Sequence, residues 1–421
     1  MWRNFTANLT DLLFSISEVM DLSDESLVDH QIRTAFVSSE LAHAAKLDYE
    51  RTERIFIAAL LHDIGALSPE EKVSVHVLLD IHSEPHCQRG GRLFRETFWL
   101  QPSAQIVDWH HTPMAEHKAA GRSLSDPDVL ESQILFLADH LERAVKRNTY
   151  ILHQVKKIKA QMFELAGDKV HDDVLGLLES VSATENFWLE LMSKDLSHRL
   201  RDRSLLRSMD IDYETTRSIA SVFKDMIDFR SRFTSTHSIG VAACSRDLAK
   251  ILGFIGKDLQ QIYLAGLLHD IGKLVVPNVI LYKPAKLTPK EYEVILQHPY
   301  YTYRVLSGVR GFEQISNWAS LHHERLDGSG YCNRLNRMEL DIGSKIVAIA
   351  DVATAISESR PYRDSGDQET VASSLREMSD KGLLEPFIVE AFTDNYRSII
   401  KTVTDAREAD EAHFNELYAI A

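Results

Sequence analysis

Seven histidines and aspartates recur twice along the chain in the same order, and this register constrains the fold more than any other feature. The first set is His30, His62, Asp63, His86, His110, His111 and Asp139, and the second is His237, His269, Asp270, His298, His322, His323 and Asp351. The offset is 207 for the first three positions (237 − 30, 269 − 62, 270 − 63) and 212 for the other four (298 − 86, 322 − 110, 323 − 111, 351 − 139). A single five-residue length difference, between each His-Asp pair and the next His, absorbs the drift. These are residue types that bind first-row metals, and repetition of the whole set marks an internal duplication of a metal-binding module. The chain reads as a tandem-domain metalloprotein, with domains expected over 1–205 and 206–421.

The periodicity is helical nearly throughout. Apolar residues recur at three- and four-residue steps over 53–62, 128–145, 238–252 and 343–356, while sustained two-residue alternation is scarce. The fold class expected is all-α. Gly65 and Gly272 follow the two His-Asp pairs and read as helix stops, because glycine tolerates the left-handed conformation that ends a helix. Each pair is therefore expected near a helix C-terminus. Residues 150–205 carry amphipathic and then strongly charged sequence, read as connecting helices with a solvated face.

Composition narrows the partners. Hydrophobic residues at 44% and charged residues at 26% are ordinary globular values and exclude a disordered or fibrous chain. A formal net charge of −15 argues against gripping long nucleic acid through its phosphates, which leaves small anionic ligands met by locally gathered cations. Cys87, Cys244 and Cys332 lie far apart with no CxxC spacing, which gives neither a zinc knuckle nor a disulfide framework and points to a reducing cytoplasm. Neither a leader nor a membrane span is expected from the sequence. Ten of the 19 histidines belong to the repeated sets, and the others read as ordinary core or surface residues.

The second copy carries flanking sequence of a particular kind. LLHDIGKLVVPNVILYKPAKLTPKEYEVILQHP, then LHHERLDGSGY, then KIVAIADVATAISESRPYR resemble the HD-GYP family, HD-superfamily phosphodiesterases that hydrolyse cyclic dinucleotides. The resemblance covers roughly residues 210–405. Two departures stand out: Gly330-Tyr331-Cys332 replaces the name-giving Gly-Tyr-Pro, and Thr354-Ala355 replaces the usual Asp-Ala. Loss of the proline is expected to loosen a loop beside the site without removing a ligand. The first copy has Ala66 after HDIG and lacks the GYP-type loop, so it resembles only the wider HD superfamily and is expected to be degenerate, regulatory or dimerising.

The resemblance implies a chemistry. Asp270 would bridge two metals, with His237, His269 and Asp351 around one and His298, His322 and His323 around the other. Imidazoles and carboxylates suit iron or manganese, with zinc as a further candidate. Two such ions activate water and clamp phosphoryl oxygens for in-line attack. Some relatives use a Glu four residues before the first His for a third metal; that position is Phe233 here and Ser26 in the first copy, so a binuclear site is expected. Lys273 would meet the scissile phosphate and help protonate the leaving oxygen. Arg325, Asp327, Gly328, Gly330 and Tyr331 would line the mouth of the site, with Arg334, Lys345 and Arg363 as further cations for guanine edges or the second phosphate. His30, His62, Asp63, His86, His110, His111 and Asp139 form a candidate second metal site.

The expected activity is hydrolysis of cyclic di-GMP or 3′,3′-cyclic GMP-AMP to a linear 5′-phosphorylated dinucleotide by a protein that is a candidate homodimer. A nucleotide phosphohydrolase and a non-catalytic cyclic-dinucleotide-binding protein are the alternatives left open.

Overall fold

The computed structural model describes residues 4–21, 28–66, 71, 84–228, 236–281, 283–358 and 366–418. Helix dominates: among the described residues, named strands are confined to Thr6–Asn8 and Asp210–Asp212, paired antiparallel with Ala7 opposite Ile211. Two compact units result, one formed by Leu9–Met209 and the other by Met1–Asn8 with Asp210–Ala421. The strand pair explains why residues 4–8 belong with the second unit. It is held there by the Asn8 N–H donating to Arg310 O at 3.1 Å and by Phe5 packing on Tyr213 and Phe312. Gly311 has φ +99°, and a Cβ there would lie 2.2 Å from Thr6 O.

In the Leu9–Met209 unit, helix His30–Ala44 packs against Tyr49–Leu61 and Pro127–Ala144. Residues 150–205 are more than a connector. Helices Asp172–Val181, Glu185–Leu191 and Leu196–Arg203 lie on the His30–Ala44 helix, burying Val174, Leu178, Trp188 and Leu191 and stacking Phe187 on Phe36. Their charged stretches face solvent, but full burial of such apolar side chains contributes roughly 1.5–3 kcal/mol each, so these helices belong to the core of the unit.

In the other unit, helix His237–Ile251 packs on Lys257–Leu268, Ile342–Ser357 and the long C-terminal helix Tyr396–Tyr418. Helix Ile342–Ser357 starts where Asp341 accepts from Ser344 N–H at 2.9 Å, its other oxygen receiving the Trp318 indole N–H at 2.8 Å. That cap fixes the helix presenting Asp351. All four stretches of helical periodicity lie in or overlap helices of the structure. No helix among the described residues is long and apolar enough to cross a membrane.

The two glycines after the His-Asp pairs act differently from expectation. Each pair does follow a helix, Tyr49–Leu61 or Lys257–Leu268, but the chain continues as a 3-10 turn, His62–Gly65 or Ile271–Val275. Neither Gly65 nor Gly272 has positive φ. Close approach is what requires them: a Cβ on Gly65 would lie 2.0 Å from His86 O, and one on Gly272 would lie 2.0 Å from His298 O.

Candidate active site

The second set of histidines and aspartates converges in a buried cluster assembled from five elements. His237 opens its helix, His269 and Asp270 follow Lys257–Leu268, and His298 opens helix His298–Leu306. His322 and His323 follow Glu313–Ser320, and Asp351 lies within Ile342–Ser357. Thr302 locks two of these together, its hydroxyl donating to His269 O at 2.9 Å and accepting from Gly272 N–H at 3.1 Å.

Three ring orientations are fixed by the backbone. His269 Nδ1 lies 2.8 Å from Gly266 O, His298 Nδ1 2.8 Å from Ile295 O, and His322 Nδ1 2.6 Å from Ala319 O. A carbonyl can only accept, so each of these rings carries its proton on Nδ1 and presents a lone pair at Nε2. His298 Nε2 and His322 Nε2 nevertheless face each other at 3.4 Å. Burial keeps both rings neutral, holding His298 near 4 and His322 well below its ordinary value. Burial likewise lowers His323 to about 3. Lone pairs directed at one another suit a cation held between them.

The donors fall into two groups around one carboxylate. His237, His269 and Asp351 bring ligand atoms within 4.8 Å of one another, as do His298, His322 and His323. Asp270 Oδ2 lies 3.1 Å from His269 Nε2, while Oδ1 lies 3.5 Å from His298 Nε2 and 3.8 Å from His322 Nε2. Asp270 Oδ1 is buried without a hydrogen-bond partner. One oxygen is thus directed to each group, and the donor set fits two divalent ions. Burial raises the Asp270 carboxyl, but His269 and Lys273 outweigh it and hold the group well below the carboxylate range. Asp351 is held low in the same way, chiefly by the His237 hydrogen bond against burial. Among the described residues, Lys273 Nζ donates to Asp270 Oδ2 at 2.5 Å.

His237 differs from the others. Its Nδ1 faces Glu358 at 3.1 Å and its Nε2 lies 3.2 Å from Asp351 Oδ1. Burial lowers its pKa, yet Glu358 and Asp351 prevail and raise it to about 10. Glu358 is itself bound by Arg407 at 2.6 Å. The sequence reading missed Glu358, whose signal was a carboxylate two turns beyond Asp351.

Tyr331 stacks on His323, ring centroids 4.7 Å apart, so the GYP-type loop does reach the cluster. Its backbone is anchored to Glu324, with Cys332 in place of proline. Buried Glu324 accepts from Asn333 N–H at 2.7 Å and Leu335 N–H at 2.9 Å, and a Cβ on Gly330 would lie 2.4 Å from Arg325 N. Glu324, directly after His322-His323, is a second residue that sequence reasoning overlooked. Arg325 turns back to its own loop, donating to Glu324 O at 3.1 Å. Asp327 receives Ser329 N–H at 2.9 Å, and Arg334 is exposed with φ +57°. Lys345 is drawn to Glu385 at 3.1 Å instead of to the cluster. Arg363, Phe233 and Ser26 lie outside the described residues.

The first set also converges. His30 Nε2 lies 3.3 Å from His62 Nε2, 3.4 Å from Asp139 Oδ1 and 3.6 Å from Asp63 Oδ2. His86 Nε2 lies 3.2 Å from His110 Nε2 and 3.6 Å from Asp63 Oδ1. His111 is met instead by Arg143 at 3.1 Å. Glu142 holds His30 Nδ1 at 2.6 Å, doing from another position what Glu358 does for His237.

Comparison with known proteins agrees with this duplication. Models described as HD domain match residues 27–144 and residues 221–386. The chain is 30% identical over 404 residues to the 3′3′-cGAMP-specific phosphodiesterase 1 of Vibrio cholerae, covering 93% of this chain and 92% of that one. It is 30% identical over 410 residues to phosphodiesterase 3 of the same name and organism, covering 85% and 88%. A crystal structure of a V. cholerae cyclic GMP-AMP-specific phosphodiesterase superposes with a TM-score of 0.64 at 21% identity over 93% of this chain and 98% of the other, and so shares its fold. With relatives matched over nearly their whole length and both copies in register, the chain belongs to the HD-GYP family of metal-dependent cyclic dinucleotide phosphodiesterases, with a further HD domain ahead of the HD-GYP domain.

Proposed function

We propose that the second HD copy opens the ring of 3′,3′-cyclic GMP-AMP to a linear 5′-phosphorylated dinucleotide at a binuclear centre held by His237, His269, Asp270, His298, His322, His323 and Asp351. The observation that carries the reading is Asp270, whose two oxygens face separate donor groups while Oδ1 is buried without a hydrogen bond. Bound divalent ions supply Lewis acidity toward the phosphoryl oxygens and an activated water. The donors around them are nitrogen and oxygen only, which favours iron or manganese. Lys273 holds its ammonium beside Asp270 Oδ2, placed to stabilise charge developing on the scissile phosphate and to protonate the leaving ribose oxygen. Tyr331, braced on His323 by the Glu324-anchored loop, walls the mouth against a base or ribose. Arg325 and Arg334 are cations of the same loop that a guanine edge could meet. The choice of cyclic GMP-AMP over cyclic di-GMP follows the specificity named for the relatives matched over the whole chain. The three free cysteines fit a cytoplasmic location.

The test is turnover of 3′,3′-cyclic GMP-AMP, cyclic di-GMP, nucleoside monophosphates and dNTPs by wild type and Lys273→Ala. Cyclic GMP-AMP should be the best substrate, and Lys273→Ala should lower its kcat by about 10²–10³ with metal retained. Faster turnover of mononucleotides or dNTPs would replace this reading by a nucleotide phosphohydrolase. Binding of the cyclic dinucleotide without turnover would make the chain a signalling receptor.

A further inference from the structure

We propose that the first HD copy holds one structural ion of the zinc class on His86, Cys87, His110 and Asp63, and that the Arg143 guanidinium, bound to Asp139, supplies the positive charge that a second ion would bring. Under the offset of 212, Cys87 stands where the second copy has Pro299, and Arg143 stands where it has Ala355 (299 − 87, 355 − 143). The first copy therefore carries within its ligand set a thiol and a permanent cation that the second lacks.

The thiol lies among the donors. Cys87 Sγ is 3.7 Å from His86 Nε2 and 3.8 Å from His110 Nε2, and the two nitrogens are 3.2 Å apart. Asp63 Oδ1 is 3.6 Å from the first nitrogen and 4.0 Å from the second. All four residues are buried. A tetrahedral ion with bonds of ordinary zinc length has donor-to-donor edges of roughly 3.3–3.6 Å. Four of these five separations lie within about 0.2 Å of that range, and the fifth, Asp63 Oδ1 to His110 Nε2, closes by roughly 0.4–0.7 Å when an ion binds. His110 Nδ1 lies 2.6 Å from Val107 O, which commits its proton there and leaves a lone pair at Nε2.

In the other half, where His30, His62 and Asp63 bring donor atoms within 4.8 Å of one another, a protein cation engages the Asp139 carboxylate. Arg143 Nε donates to Asp139 Oδ1 at 2.9 Å, and its terminal nitrogen lies 2.6 Å from Asp139 Oδ2 and 3.1 Å from His111 Nε2. Gln31 Nε2 donates to Asp63 Oδ2 at 3.2 Å. With its side chain 5% exposed, Arg143 is a fixed cation that neutralises Asp139 and repels a dication from the same place.

Four protein ligands leave no open position for water or substrate, and Ala66 stands where the second copy has Lys273. The ion would tie the 3-10 turn His62–Gly65 to helix Glu84–Arg95 and to the turn after helix Ala104–Asp108. Its binding releases the Cys87 proton to solvent, and the resulting thiolate selects a softer ion than the nitrogen and oxygen donors of the second copy.

The test uses the full chain, stripped by chelation and reloaded with cobalt(II). A thiolate-to-cobalt charge-transfer band should appear in wild type, in Cys332→Ser and in the double variant His269→Ala, Asp270→Ala, and should vanish in Cys87→Ser. Should Cys87→Ser fail to fold, zinc-edge X-ray absorption of the zinc-loaded double variant reads a sulfur neighbour directly. A loaded chain with neither band nor sulfur neighbour, or a band that survives Cys87→Ser, overturns the proposal.

Discussion

His237 and His298 are both buried ligand-type histidines, yet they are driven in opposite directions. Burial prevails over Asp270 at His298, which falls to about 4, whereas Glu358 and Asp351 overcome burial at His237 and raise it to about 10. The difference makes Glu358 a positioning residue, holding the Nδ1 side of the ring so that Nε2 faces Asp351. Removing such a partner costs about 10–100-fold in metal affinity. Glu358→Gln should therefore weaken metal retention by that factor in a chelator competition, and unchanged retention would contradict the role. Glu142 offers a pH-resolved counterpart in the first copy. Burial raises its carboxyl, but His30, Arg147 and Arg33 outweigh it and bring it to about 2 from an ordinary 4.5. A depressed folded pKa stabilises the fold above the unfolded value, and the gain is lost as pH falls from 4.5 toward 2. Such a shift amounts to about 3 kcal/mol at neutral pH. Glu142→Gln should show a loss of that order in urea unfolding at pH 7 that narrows by about pH 3; a gap independent of pH would contradict the assignment.

At the scale of elements, the 3-10 turn Ile271–Val275, directly after His269 and Asp270, is pressed against helix His298–Leu306 closely enough that only glycine fits between them. A Cβ on Gly272 would sit 2.0 Å from His298 O and 2.7 Å from Thr302 N, both backbone atoms that no rotamer change can move. Gly272→Ala should push the two ligand-bearing elements apart, lowering activity by more than about tenfold together with the melting temperature. Gly176, in helix Asp172–Val181 with nothing within 4 Å of an added Cβ, is the control. Gly176→Ala should raise stability by about 0.5–1 kcal/mol. Equal effects of the two substitutions would contradict the close-approach account. The sequence made these elements visible but not the reason for their glycines. Periodicity reports which helix faces are apolar, so the helices bearing His237 and Asp351 were legible. Interhelical distance leaves no periodic trace, so Gly65 and Gly272 looked like stops. Residues 150–205 were misjudged for a related reason, since charged stretches hid the apolar face laid on helix His30–Ala44.

For the whole molecule, the repeated ligand register was enough to indicate two HD units, and the strand Thr6–Asn8 crossing into the second unit was not, because three residues carry no pattern. What separates the copies lies in substitutions read across the offset: Lys273 against Ala66, Pro299 against Cys87, Ala355 against Arg143 and Thr354 against Glu142. The second copy keeps Lys273 on Asp270 and a loop that stacks Tyr331 on His323. The first replaces both with internal ion pairs and a thiol. On the proposed reading, catalysis belongs to the second copy and a metal-held structural role to the first.

The most direct test is metal content with hydrolysis of 3′,3′-cyclic GMP-AMP, on wild type and on the double variant His269→Ala, Asp270→Ala. The account predicts that the double variant loses about two ions per chain and all measurable hydrolysis while the first copy keeps its ion. Hydrolysis that survives in the double variant would contradict the assignment of the chemistry to the second copy.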